Sequence, residues 1–141
     1  MLCIFLHLHS FHSCRTVVGG LNQKEAEEFF HTALCNGLSY MSGYGLDLTF
    51  EKADYEEARK KLESPCYEDV LLQILRDGKG LTMVDEECEG EYTRTITLAD
   101  VHARVDKTPL RFLLQMVEEN DDAETADVII QTVFYEDIIF G

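Results

Sequence analysis

From Asn22 onward the apolar residues fall at alternating helical and strand spacings, and the polar residues between them mark where each element starts and stops. Ala26, Phe29, Phe30, Ala33 and Leu34 lie on one helical face behind Asn22 and Glu25, a pair at capping-box separation. Asn36-Gly37 then predicts the end of this helix. Residues 38–46 carry Tyr40, Tyr44 and two glycines and predict a turn or binding loop, followed by a short alternating strand over residues 46–50. Asp54 is placed to cap a helix through Leu62 with Tyr55, Ala58 and Leu62 inward. Ser64-Pro65 ends it and opens the next, in which Val70, Leu71, Ile74 and Leu75 form the buried stripe before Asp77-Gly78.

The second half repeats the alternation. Residues 81–87 and 91–97 are β-rich runs joined through Cys88-Glu89-Gly90, which predicts an antiparallel hairpin. Thr97 caps a helix through Val105. Thr108-Pro109 starts another through Glu119 with Leu110, Leu113, Leu114 and Val117 inward. Asp121 and Glu124 repeat the capping spacing ahead of a last helix to about Tyr135, whose Ala126, Ile129, Ile130 and Val133 face a core. The closing Asp-Ile-Ile-Phe-Gly reads as a docked tail or short strand. The fold class is α+β, with about six amphipathic helices packed on a small antiparallel sheet or hairpin, in one domain over residues 21–141.

Charge changes this picture at the surface. The 141-residue chain carries 27 acids against 12 lysines and arginines, a formal net charge of −15. Residues 85–141 hold 15 acids and four bases, Arg94, Arg104, Lys107 and Arg111. With 45% of residues apolar and periodic, the acids coat a folded domain rather than keep it unfolded. Such a field repels phosphate backbones and anionic membranes, which argues against direct nucleic-acid or membrane binding, and it attracts basic protein surfaces.

The first 20 residues stand apart: they hold no acid, an apolar run from Leu2 to Leu8, and His7, His9, His12 and Cys14. The run is too short to span a bilayer and lacks the flanks of a secretory signal. The segment reads as an appended leader, either disordered or the product of a start placed upstream of a working protein that begins near Leu21. Period-two geometry puts His7 and His9 on one face and His12 on the other, so no metal site is expected there. Five cysteines without a C-x-x-C pair argue against a disulfide framework and for a reducing, cytoplasmic setting, with Cys35 and Cys66 as small buried hydrophobes.

Candidate chemistry is sparse. Asp85, Glu87, Glu89 and Gly90 imitate the start of a calcium loop, but Ile96 stands where the bidentate glutamate belongs, and the flanks are strands. Glu27 and His31 sit four apart and predict a surface pair on one helix. Ser39, Ser42 and Cys35 lack a nucleophile elbow, and no glycine pattern completes a phosphate loop. No catalytic residue, metal or cofactor is assigned. At the level of class, by size and charge, the chain is similar to small acidic accessory proteins of phages and mobile elements, some of which mimic nucleic acid. The expected function is a non-enzymatic interaction or regulatory module docking a basic protein surface. Its face is Asp85, Glu86, Glu87, Glu89, Glu91, Glu118, Glu119, Asp121 and Asp122, with Tyr40 and Tyr44. The alternatives are a metal-assisted hydrolase using Asp85, Glu87 and Asp100, and self-association through the apolar tail.

Overall fold

A computed structural model describes residues 20–118 and 123–141. In chain order these form α1 (Gln23–Gly43), β1 (Leu46–Thr49), α2 (Lys52–Lys60), α3 (Tyr67–Arg76), β2 (Leu81–Asp85) and β3 (Arg94–Ile96). There follow α4 (Leu98–Arg104), a 3-10 turn at Val105–Lys107, α5 (Leu110–Val117) and α6 (Ala123–Tyr135). The α+β class holds: six helices accompany one three-stranded antiparallel sheet among the described residues, in the order β1-β2-β3. Residues 1–19 of the expected leader (1–20) and the Asp121 cap lie outside the described residues.

α6 is the centre. Every residue from Thr125 to Phe134 is buried, the mark of a helix surrounded by protein rather than facing water on one side. Its most extensive neighbour is α1, and the two meet at Gly37. A β-carbon there would lie 2.9 Å from the Ala126 β-carbon and 3.0 Å from its carbonyl carbon. The Asn36-Gly37 pair is therefore no helix stop. Glycine is used for close approach, and α1 runs on through residues 38–43, so Tyr40 lies on its last turns and Tyr44 is its C-cap. The Asn22 and Glu25 capping box forms as the spacing predicts, with bonds of 2.8 and 3.1 Å.

Other boundaries move by a residue or two. α2 begins at Lys52 with Glu51 ahead of it and no side-chain cap, which leaves Asp54 in its first turn, where the helix dipole favours a carboxylate. α3 starts at Tyr67 with Cys66 as N-cap, because Ser64 takes a left-handed φ of 49° and displaces the start past Pro65. Its C-terminus closes as a Schellman motif, with Gly78 at φ 85° and the Lys79 N–H donating to the Ile74 carbonyl at 3.1 Å. On α5 the buried residues are Phe112, Leu113, Met116 and Val117, while Leu110 is 46% exposed. That stripe is centred between Leu113 and Met116, about 90° around the helix from Leu110.

The sheet sets its apolar face on the helices: Leu81, Met83 and Asp85 of β2 alternate inward, Leu46 opposes Asp85, and Ile96 opposes Leu81. On the other face the Thr82 and Thr95 hydroxyls meet at 2.7 Å as a cross-strand pair. β2 and β3 are antiparallel as expected but end sooner than residues 87 and 91, for a reason that lies at Asp85.

The two glycines of α1 give a paired prediction. Gly37→Val is expected to lower unfolding stability by about 2–3 kcal/mol through overpacking against Ala126. Gly43, with nothing within 4 Å of its would-be β-carbon, should gain about 0.5 kcal/mol as Gly43→Ala. Urea unfolding of both variants checks the pair.

Candidate functional site

The hairpin loop between β2 and β3 is built on one buried carboxylate. Asp85 is 5% exposed, so it forms no part of an accessible acidic face. Its Oδ1 accepts the N–H groups of Cys88 at 2.8 Å and Glu87 at 3.0 Å, and its Oδ2 accepts that of Tyr92 at 3.1 Å. Its own N–H donates to Thr93 Oγ1 at 3.0 Å. These bonds turn the backbone toward the side chain of residue 85 instead of the facing strand, which ends both strands early. The Asp85 carboxyl lies below its ordinary pKa of 3.8 because the Cys88 N–H favours the ionised form; lost hydration opposes this, and Tyr92 and Glu87 add to it.

Around that anchor Glu86, Glu87, Glu89 and Glu91 are exposed. Glu89 and Gly90 hold left-handed φ values of 56° and 84° at the tip, and the Glu86 N–H donates to the Gly45 carbonyl at 2.9 Å, tying the loop to the end of α1. The Glu87 side chain lies over Gly45, where a β-carbon would come within 2.5 Å of it. Ion pairs among the described residues use Glu27, Asp69, Asp77, Asp100 and Glu136, and none uses a loop glutamate. The nearby base, Arg94, donates instead to the carbonyls of Glu91 and Thr93 and sits 5.9 Å from the centre of the Tyr135 ring.

The expected face is thus only partly gathered. Glu118 is exposed just past α5, while Glu119, Asp121 and Asp122 lie outside the described residues. Tyr44 is half-buried: its ring stacks on Phe140 at 5.2 Å and its hydroxyl donates to Asp127 Oδ2 at 2.7 Å. Burial, then that hydrogen bond, pushes the phenol up to about 12. Phe140 meets Tyr92 at 5.2 Å, so an aromatic contact joins the acidic loop to the tail and to α1. The tail is docked by Gln131, whose Oε1 accepts from Ile139 and Phe140 at 2.7 and 2.8 Å and whose Nε2 donates to Asp127 Oδ1 and the Phe140 carbonyl. A cavity of about 440 Å³ opens beside it, lined in part by Tyr40, Tyr44, Arg111, Glu124, Asp127 and Phe140. Ile138, 44% exposed, is the one residue of the Ile-Ile-Phe run left largely open to solvent.

The histidines take carboxylate partners that helical spacing does not give. Glu27 does not pair with His31; its two oxygens accept from Arg76 Nε at 2.8 Å and His102 Nε2 at 2.7 Å, bringing α1, α3 and α4 together. Burial works to raise the Glu27 pKa, and the bonds from His102 and Arg76 outweigh it, so it is lowered. His31 Nε2 lies 2.8 Å from Asp69 Oδ1 across the α1–α3 contact. Cys35, Cys66 and Cys88 are free and exposed, not buried hydrophobes. Lost hydration around the Cys35 sulfur, then the charge of Glu68, pushes its thiol up to about 11, the wrong direction for a nucleophile at neutral pH.

The carboxylates named for a hydrolase do not converge among the described residues. Asp85 is spent on the loop backbone. Asp100 accepts from the Thr97 N–H at 2.9 Å and from Arg104 at 3.2 Å. No helix among the described residues is long and apolar enough to cross a membrane.

Asp85→Asn removes one acceptor from a set of three N–H donors and is expected to speed amide exchange at Cys88 and Tyr92 at neutral pH. Because the folded pKa is depressed, the contribution of Asp85 is complete above the ordinary value and lost as pH falls through the folded one. The stability gap between native chain and Asp85→Asn should therefore be constant well above the ordinary value of 3.8 and narrow as pH falls below it, read as urea midpoints on both sides of that value. Comparison of the chain with family models, with curated proteins and with solved structures gave no match.

Proposed function

We propose that this chain is a non-enzymatic interaction or regulatory module that docks a basic protein surface through the β2–β3 loop. The observation that carries the reading is that Glu86, Glu87, Glu89 and Glu91 stand exposed, without ion pairs among the described residues, on a loop whose backbone is pinned by Asp85. Four carboxylates held on a fixed scaffold lose little freedom when a partner binds, so their Coulomb energy is available to steer and orient it. Spaced acids on a rigid frame also imitate a phosphate backbone. A protein whose basic face ordinarily meets nucleic acid is therefore a fitting partner, as it is for acidic accessory factors of mobile elements. Tyr40, 38% exposed at the rim of the tail cavity, adds an aromatic ring of the kind whose face attracts lysine and arginine. The hydrolase alternative gains no support from the positions of Asp85 and Asp100.

Capture on the immobilised full chain identifies the partner, and association with it is then measured for the native chain and for a variant with all four loop glutamates changed to Gln. Basic partners should be retained, with an association rate that falls about tenfold or more between low and physiological ionic strength. The variant should lose most of that salt dependence. Neutral or acidic partners, or a rate unmoved by salt, would overturn the reading.

A further inference from the structure

We propose that His31, Cys66 and Asp69 form a binding site for a borderline divalent transition-metal ion of the zinc class. One ligand atom from each lies within 4.8 Å of the others. A tetrahedral ion with bonds of about 2.0–2.3 Å sets its ligand atoms roughly 3.3–3.8 Å apart, so small side-chain movements bring the three into coordination. They come from two packed helices: His31 from α1, and Cys66 and Asp69 from the start of α3. An imidazole, a thiol and a carboxylate together favour zinc, cobalt or copper over calcium or magnesium, which take oxygen donors alone.

The surrounding contacts orient this set. The Cys66 N–H donates to Asp69 Oδ2 at 3.1 Å, which turns Oδ1 toward His31 Nε2 at 2.8 Å. With an ion on Nε2, the imidazole carries its proton on Nδ1. That nitrogen faces Cys35 Sγ at 4.0 Å, so Cys35 acts as the outer partner that fixes the ring and water completes the fourth position. The ion displaces the Cys66 thiol proton, which leaves to solvent, and the Nε2 proton shared by the neutral His31 ring with Asp69, which is carried on Nδ1 instead. The 2.8 Å contact opens by about 0.5 Å to the ligand spacing given above. All three side chains reach solvent in part, so the ion has a path in.

Cobalt titration of the reduced, chelator-stripped full chain tests the site, because a thiolate ligand gives Co²⁺ a near-ultraviolet charge-transfer band. The band should saturate at one ion per chain and vanish in Cys66→Ser, a substitution that leaves a good N-cap at an exposed position. His31→Gln and Asp69→Asn should each weaken cobalt binding by at least about tenfold. A variant of the leader carrying His7→Gln, His9→Gln, His12→Gln and Cys14→Ser should keep the band, with circular dichroism confirming that each variant is folded. No band in the native chain, a band undiminished by Cys66→Ser, or a band that disappears with the leader substitutions would overturn the proposal.

Discussion

The close contact of α1 with α6 at Gly37 is the constraint on which the rest of the structure depends. Only a residue without a side chain lets the two helices approach so near Ala126, and that approach encloses α6 on every side. A helix enclosed in this way must satisfy its own polar groups. Thr132 bonds back to the Val128 carbonyl at 2.7 Å, while Gln131 and Asp127 turn to the tail and to Tyr44. Because an unpaired buried amide or carboxylate costs a few kcal/mol, these bonds make docking of residues 139–140 a condition of burying α6 rather than an ornament of it.

The tail in turn supports the acidic loop. Phe140 lies between Tyr44 and Tyr92, so the aromatic contacts that seal α6 also back the β2–β3 connection. Inside the loop Asp85 replaces strand pairing with backbone N–H bonds to its own carboxylate, and the glutamates around it stand exposed and outside the ion pairs of the described residues. The acids of this protein therefore do different work according to burial. Asp85, Glu27 and Asp127 hold the fold together, Asp69 and Asp100 close helix N-termini, and the four loop glutamates do neither.

Much of this was legible in the sequence where one local signal decided the outcome. The Asn22–Glu25 box, the Val70–Leu75 stripe, the Asp77-Gly78 closure and the antiparallel hairpin are all fixed by neighbours within a few residues. The misread features share a long-range cause. Gly37 looks like a helix stop until Ala126 is placed against it, and with that stop gone Tyr40 and Tyr44 move from a loop onto a helix end. Asp85 looks like an exposed acid until the loop folds over it. His31 has Glu27 at helical spacing, yet its partner is Asp69, 38 residues away, because Glu27 is already taken by Arg76 and His102. The spacings His31-x3-Cys35 and Cys66-x2-Asp69 were the available signal for the second site, visible only once the two cysteines are known to be exposed.

The apolar α1–α6 core carries a surface on which most acids of the described residues are without ion pairs, so the fold is held against its own charge repulsion. Salt screens such repulsion while leaving apolar burial intact. The most direct measurement is the urea midpoint of the full chain at low and at physiological sodium chloride concentration. The midpoint should rise with salt. A midpoint that falls would mean instead that attractive ion pairs, not repulsion among acids, dominate the surface.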